Sequence, residues 1–184
     1  EAGYSVRYIM TEVSAGALVR GLHHWGASMM VVLVVLHMAQ VAIWGAYKKP
    51  REATWLAGVL LLLLTLAFGL TGYLLTWDNR AYWATVVTLQ IASLPPVVGE
   101  WTLRLLGSDG KSVGAATFQR FYALHVIVLP AATAALAAVH LYLVRKHGVA
   151  PQPGDEAKPK KKFWPEQVFK DTVAIIAPFV ILFL

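Results

Sequence analysis

The sequence contains no cysteine, and few of its residues carry a charge. Only 14% of the 184 residues are Asp, Glu, Lys or Arg, whereas 58% are hydrophobic. The lack of cysteine excludes disulfides, thiolate metal ligands and covalent attachment of a cofactor through sulfur within this stretch. A composition this apolar is not that of a soluble domain and is typical of an integral membrane protein.

Formal charges are missing from four long stretches, which are residues 21–47, 53–77, 81–99 and 121–144. About 20 consecutive apolar residues are enough for a helix to cross a bilayer. We therefore predict three membrane spans, at about 22–47, 53–77 and 121–144.

The stretch at 81–99 is predicted to lie on the membrane surface, although it is also uncharged. If it crossed the membrane, the basic turn at 48–51 and the basic segment at 145–162 would lie on opposite sides. The positive-inside rule favours the arrangement in which both are inside. We therefore predict a surface helix at about 79–99 and expect residues 78–119 to face outward.

Basic residues outnumber acidic ones, 16 to 10, which gives a net charge of +6. They cluster in two loops beside the apolar stretches, and no nucleic-acid-binding motif accompanies them. We interpret them as topology signals, or as a solvated run, and predict no nucleic-acid partner. The Pro-rich stretch at 148–166 is predicted to be a cytoplasmic linker, and residues 167–184 to begin a further transmembrane helix.

Two of the predicted spans each contain a pair of histidines. His23 and His37 are fourteen residues apart, and His125 and His140 are fifteen apart. At about 100° and 1.5 Å per residue, fourteen steps place two imidazoles on one helix face, roughly 21 Å apart. Fifteen steps overshoot by about 60°, and Pro130 would bend the helix and could absorb the misfit.

These histidines indicate a cofactor rather than packing alone. A single intramembrane histidine is often only a hydrogen-bonded packing residue, but two matched pairs favour a function. Zinc and di-iron centres would need Cys, Asp or Glu, which the two His-containing spans lack. If the spans run antiparallel, His23 faces His125 near one surface and His37 faces His140 near the other, which predicts two bis-histidine haem sites.

Two glycines in the middle span repeat the fourteen-residue period. Gly58 and Gly72 could aid helix packing, or they could make room for two flat macrocycles, one at each level. Together these patterns predict an all-α fold, a transmembrane helix bundle that binds haem.

Five motifs carry a match that extends over nearly the whole chain: YIMTEV at 8–13, RGLHHWGASMM at 20–30, KKPRE at 48–52, FGLTGYLLTWDNRAYWA at 68–84 and RFYALHVIVLP at 120–130. They resemble the cytochrome b/b6 family, the haem-bearing core of quinol:cytochrome c and plastoquinol:plastocyanin oxidoreductases. The fifteen-residue spacing is similar to that of the b6 branch, whereas the mitochondrial branch has fourteen. The resemblance implies a transmembrane four-helix haem-binding bundle of the cytochrome b type. It also implies that the family's first helix is not in this stretch and that residues 167–184 begin its C-terminal half.

The resemblance implies roles for the histidines and their neighbours. His23 and His125 would hold a low-potential haem near the outer side, and His37 and His140 a high-potential haem near the inner side. Arg20 matches a family arginine that pairs with a haem propionate.

Further cofactor contacts are also implied. Arg120 falls at a similarly retained position, and Gly58 and Gly72 would lie beside the macrocycles. Gln40 stands where relatives usually carry an arginine, so Lys48 or Lys49 would have to partner the inner propionate. Thr76 replaces a family proline.

Quinone sites are implied on both sides of the membrane. The outer quinol pocket would be bordered by Tyr73, Tyr82, Trp83 and Ala84. Arg145 and Lys146 could border an inner quinone or an extra haem, although stop signals after a span are an alternative role.

The function implied is that of a di-haem cytochrome b in a bacterial cytoplasmic membrane, an enzyme subunit of a quinol:cytochrome c or plastocyanin oxidoreductase. Its partners would be a Rieske iron–sulfur protein, cytochrome c or an equivalent acceptor, the C-terminal half of cytochrome b and a second copy of the complex. A third, covalently bound haem could be attached outside this stretch. The alternatives are a di-haem membrane anchor of a hydrogenase or dehydrogenase and, further behind, a transporter with histidine proton relays.

Overall fold

The computed structural model describes residues 2–151, 154 and 163–181, and these residues form helices with no strand among them. The helices are α1 (Ala2–Thr11), α2 (Gly16–Ile43), α3 (Glu52–Leu74), α4 (Asn79–Ser93), α5 (Val98–Leu106), α6 (Ala115–Ala123), α7 (Leu129–His147) and α8 (Val168–Ile181). A π-helical turn, Leu124–Val128, joins α6 to α7, and a second, Phe163–Gln167, precedes α8. The prediction of an all-α fold is confirmed.

Three helical segments in the described part are long and apolar enough to cross a membrane: Gly16–Ile43, Glu52–Leu74 and Ala115–His147. They overlap the three predicted spans but differ at their ends. The first ends before residue 47 because a turn follows it in which Gly45 has a φ of +63°. The last begins before residue 121 because the helix takes in the polar residues Gln119 and Arg120.

The helix predicted at 79–99 is divided into two. Asp78 begins α4, since its carboxylate accepts a hydrogen bond from the Ala81 N–H at 2.7 Å. This helix ends at Ser93 because Pro95 and Pro96 lack an amide hydrogen, and α5 begins only at Val98. With 15 residues, α4 is roughly 22 Å long, shorter than a ~30 Å bilayer core.

The chain divides into two compact units. The first unit comprises Glu1–Ala17 and Val59–Val139, and the second comprises Leu18–Gly58 and His140–Leu184. The first unit has a hydrophobic core where the end of α3 meets α4 and α6, formed by Leu74, Val86, Leu89, Val113 and Phe121. Burial of these side chains holds α4 and α6 against the end of α3.

The connection from α5 to α6 in the first unit is stabilised by local hydrogen bonds. Gly107 ends α5 with a left-handed φ of 69°, and its carbonyl accepts the buried Thr117 hydroxyl at 2.8 Å. The Asp109 carboxylate accepts the N–H groups of Lys111 and Ser112 at 2.8 and 2.9 Å. These two bonds lower the pKa of Asp109 below its ordinary value.

Candidate functional site

His125 lies in the π-helical turn of the first unit, against one face of α3. Phe68, Thr71 and Gly72 form that face, since positions i, i+3 and i+4 of a helix are neighbours. The Phe68 ring meets the imidazole edge-on at 5.4 Å between centroids, and the Thr71 Oγ1 lies 3.0 Å from Nδ1. A Cβ on Gly72 would lie 2.7 Å from His125 Cε1, so only glycine leaves the ring room there.

The π turn accounts for the fifteen-residue spacing. The Leu129 N–H donates to the Leu124 carbonyl, five residues back instead of four, so this turn holds one residue more than an α turn. Pro130 follows directly and has no N–H to donate to a carbonyl four residues back. The adjustment that we predicted at Pro130 therefore lies in the turn just before it.

His37 and His140 line one cavity in the second unit, with a volume of about 240 Å³. Most of the cavity wall is apolar and includes Met38 and Trp55. A Cβ on Gly58 would lie 3.3 Å from His140 Cε1, so this glycine also contacts an imidazole. The structure thus brings together three residues that the sequence selected for the inner haem.

Two polar atoms at this cavity are buried without a partner of normal hydrogen-bond geometry among the described residues. They are His140 Nδ1 and Thr54 Oγ1. The backbone of Thr54 also lies beside the His140 ring. The described residues include no group of three or more His, Cys, Asp or Glu that could hold a metal ion. Two imidazoles with apolar walls and a glycine opening fit a planar, mostly apolar macrocycle with axial histidines, and they do not fit a four-coordinate zinc ion.

Arg51 also lines the cavity, although the sequence predicts only a topology role for the basic turn that contains it. Its Nε donates to the Gly148 carbonyl at 3.0 Å, and its Nη groups remain suited to an acid group. Lys48 instead lies against Gly45, and neither it nor Lys49 is among the described residues of the cavity wall. Arg51 belongs to the KKPRE motif, so the motif contained the signal.

The outer histidine pair is divided between the units. His23 and Arg20 are exposed residues of α2 in the second unit, whereas His125 lies in the first. The pairing of His23 with His125, and the contact of Arg20 with a propionate, stay predictions. His24, beside the proposed ligand, packs edge-on against Trp25 at 5.4 Å.

Arg120 stabilises the end of α5. Its Nη1 donates to the carbonyls of Arg104 and Leu105, with a distance of 2.7 Å for Leu105. Carbonyls in a last helical turn have no intrahelical partner, and a positive charge there is favourable to the helix dipole. The structure thus adds a capping role, while the predicted role toward a propionate stays a prediction.

The candidate quinol residues lie around the beginning of α4. Tyr82 packs edge-on against Trp77 and Trp83, at 6.4 and 5.3 Å between centroids. Tyr73 and Trp83 are exposed, and Ala84 is half-buried. A small residue beside exposed aromatic rings is compatible with a ring-binding surface, and the assignment stays a prediction.

The inner-site candidates, Arg145 and Lys146, are exposed in the last turn of α7. A positive charge near the C-terminal end of a helix interacts favourably with the helix dipole, whether or not the side chain also binds a ligand. The lysines predicted to reinforce the basic inner loop, Lys158 and Lys160–Lys162, lie outside the described residues.

Comparison with known families and curated proteins gives consistent matches. A family model described as cytochrome b(N-terminal)/b6/petB matches residues 28–184, which include His37, His125 and His140 but not His23. The chain is similar to the menaquinol:cytochrome c reductase cytochrome b subunit of Geobacillus thermodenitrificans, with 48% identity over 79% of this chain and 65% of that protein. It is similar to cytochrome b6 of Porphyra purpurea, with 48% identity over 82% of this chain and 69% of that protein.

A solved structure also matches. A chain of a hyperthermophilic respiratory complex III aligns with 99% of this chain at a TM-score of 0.83 and 32% identity. The present chain covers 49% of that chain, so it spans about half of its structural relative and about two thirds of the curated proteins.

Proposed function

The chain belongs to the cytochrome b/b6 family, and from this we propose that it is the di-haem cytochrome b subunit of a quinol-oxidising complex of the bc or b6f type. Membership of the family implies haem binding, and together with the three apolar helices it makes the chain an integral membrane protein.

The observation that supports two haems is that an α3 glycine contacts an imidazole in each unit. Gly72 contacts His125 in the first unit, and Gly58 contacts His140 in the second. A haem bound at each level would supply reversible one-electron transfer at its iron.

The chain's own residues would bind and orient these haems. His23 and His125 would be the axial ligands at one level, and His37 and His140 at the other. The cavity position of Arg51 makes it a better propionate partner than Lys48 or Lys49, because a guanidinium can donate two parallel hydrogen bonds to a carboxylate. It would take the place of the arginine that Gln40 replaces.

We extend the proposal to the electron path and the partners. Quinol would bind on the outer side beside Tyr73, Tyr82, Trp83 and Ala84, and quinone on the inner side near Arg145 and Lys146. The partners would be a Rieske iron–sulfur protein, a cytochrome c or equivalent acceptor, the C-terminal half of cytochrome b and a second copy of the complex. The relative from Geobacillus thermodenitrificans is named as a subunit of a menaquinol:cytochrome c reductase, which supports menaquinol as the donor here and a bacterial cytoplasmic membrane as the location.

The test is a haem count on the purified complex and its variants. Wild type should contain two b haems per chain by pyridine haemochrome assay. His37→Leu should retain one, while His24→Leu, one residue from the predicted ligand His23, should retain both. One haem or none in the wild type would refute the proposal, and so would equal losses in the two variants.

A further inference from the structure

A threonine hydroxyl lies between α3 and the imidazole of His125. Thr71 Oγ1 is 2.8 Å from the Ala67 carbonyl oxygen and 3.0 Å from His125 Nδ1. A second carbonyl, that of Phe68, is further away at 3.3 Å. Thr71 is buried, with 6% of its surface exposed, so water does not compete for these bonds.

The direction of the hydrogen bonds follows from counting protons. A hydroxyl has one proton and two lone pairs, and a carbonyl can only accept. The Thr71 proton is therefore directed to the Ala67 carbonyl, which leaves the oxygen to accept from His125. This requires the proton of a neutral imidazole to be on Nδ1, so that the lone pair is on Nε2.

We propose that Thr71 is a positioning residue that holds His125 in the Nδ1–H tautomer and thereby directs Nε2 to the haem iron. This inference rests on the proposed function, because it assumes that His125 is an axial ligand. The Thr71 oxygen also makes the imidazole a stronger base, since an acceptor at Nδ1 draws that proton away from the ring.

Other groups in the chain provide controls for this role. Thr65 is a second buried threonine of α3, and its hydroxyl donates to the Leu61 carbonyl at 2.9 Å. The described hydrogen bonds of Thr65 include none to an imidazole. At the other level, His140 Nδ1 has no acceptor of normal geometry among the described residues, so no α3 hydroxyl performs the same task there.

The effect should appear in the midpoint potential of the haem at His125. A more basic axial imidazole stabilises ferric iron more than ferrous iron. Removal of the Thr71 hydroxyl, which makes the imidazole less basic, should therefore raise the midpoint potential. Loss of a hydrogen bond to a metal-ligating histidine typically weakens metal binding 10- to 100-fold. If the affinity of the site for ferric haem falls tenfold and its affinity for ferrous haem is unchanged, the midpoint potential of this one-electron couple rises by about 59 mV.

The experiment is a redox titration of the whole membrane-extracted complex carrying Thr71→Val, Thr71→Ser or Thr65→Val. The component that disappears in a His125→Leu variant identifies the site. Thr71→Val should raise its potential and alter its low-spin ferric EPR signal, while the other component stays unchanged. Thr71→Ser, which keeps the hydroxyl, should have the wild-type midpoint potential and EPR signal, and so should Thr65→Val.

Other results would overturn the inference. If Thr71→Val contains both haems with wild-type potentials and EPR signals, the hydroxyl has no role toward the ligand. If the haem is lost in Thr71→Val and equally in Thr71→Ser, the residue acts through packing and the inference is also wrong, whereas retention in Thr71→Ser alone supports it. A wild-type complex without haem at His125 would refute the proposed function together with this inference.

Discussion

Two glycines of α3 set how closely the imidazoles can approach that helix, and they differ in how much room they leave. A Cβ at Gly72 would lie 2.7 Å from a His125 ring atom, whereas one at Gly58 would lie 3.3 Å from His140. The first distance requires the ring to move, and the second requires a shift of a few tenths of an ångström.

Replacement of Gly72 by alanine should therefore lower haem occupancy at His125, and Gly58→Ala should have a smaller effect at His140. Overpacking of this kind costs about 1–3 kcal/mol, or roughly a 5- to 150-fold loss of affinity. Occupancy is measured from the two reduced-minus-oxidised α-band components of the purified complex.

Gly69→Ala serves as the control, because a Cβ at Gly69 would meet no atom within 4 Å. It should leave both haems in place and could stabilise α3 by up to about 1 kcal/mol. If Gly72→Ala bound as much haem as Gly69→Ala, the close approach of the His125 ring to Gly72 would have no part in haem binding.

At the scale of single residues, the sequence predicted those whose type and spacing indicate their chemistry. His37, His140 and Gly58 were selected because each lies in an uncharged span and is fourteen or fifteen residues from a second residue of the same type, and they meet at one cavity. Thr71 could not be selected, because its role depends on a 3.0 Å contact with a residue 54 positions away. Arg51 shares its basic turn with Lys48 and Lys49, and only the fold shows which of the three side chains reaches the cavity.

At the scale of elements, the π turn Leu124–Val128 explains a spacing that an α-helix alone does not. A π turn gives no composition signal, so the sequence showed only the extra residue and Pro130. The division of the helix predicted at 79–99 does have a signal in the sequence. Pro95 and Pro96 cannot donate backbone hydrogen bonds within a helix, whereas the prediction rested on the absence of charge from 81–99.

Deletion of Ile127 from the π turn should convert it to an α turn and preserve the register of the residues that follow. Deletion of Ala135, within the α-helical part of α7, should instead rotate the residues after it by about 100° relative to those before it. The Ile127 deletion should thus retain both haems, and the Ala135 deletion should lose the haem at His140. The haem content of the two purified proteins tests this prediction. If both deletions lost the same amount of haem, the extra residue of the spacing would not lie in the π turn.

At the scale of the whole molecule, the prediction concerns which loops share a side of the membrane. The basic turn after α2 should face inward, and the loop between α5 and α6 should face outward. Because the chain has no cysteine, single cysteines can be placed at Lys49 and Lys111, both of which are exposed. An impermeant maleimide should label Lys111→Cys in sealed cells and should label Lys49→Cys only after the membrane is opened.

A control for this labelling is Lys146→Cys at the end of α7, which should behave like Lys49→Cys. Labelling of all three positions in sealed cells would indicate leaky membranes. Labelling of Lys49→Cys but not Lys111→Cys would reverse the topology and would place the proposed quinol surface of α4 on the inner side.

The hydrogen bond between Arg51 and Gly148 joins two positions that the ribosome makes at different times. Their separation of 97 residues corresponds to roughly 5–20 s of synthesis at about 5–20 residues per second. During most of this interval His37 and Gly58 are already present, but the part of the cavity wall that contains His140 and Gly148 is not. Nascent chains thus pass through a period in which this cavity is open on one side, and the haem that we propose there would be enclosed only when α7 is completed.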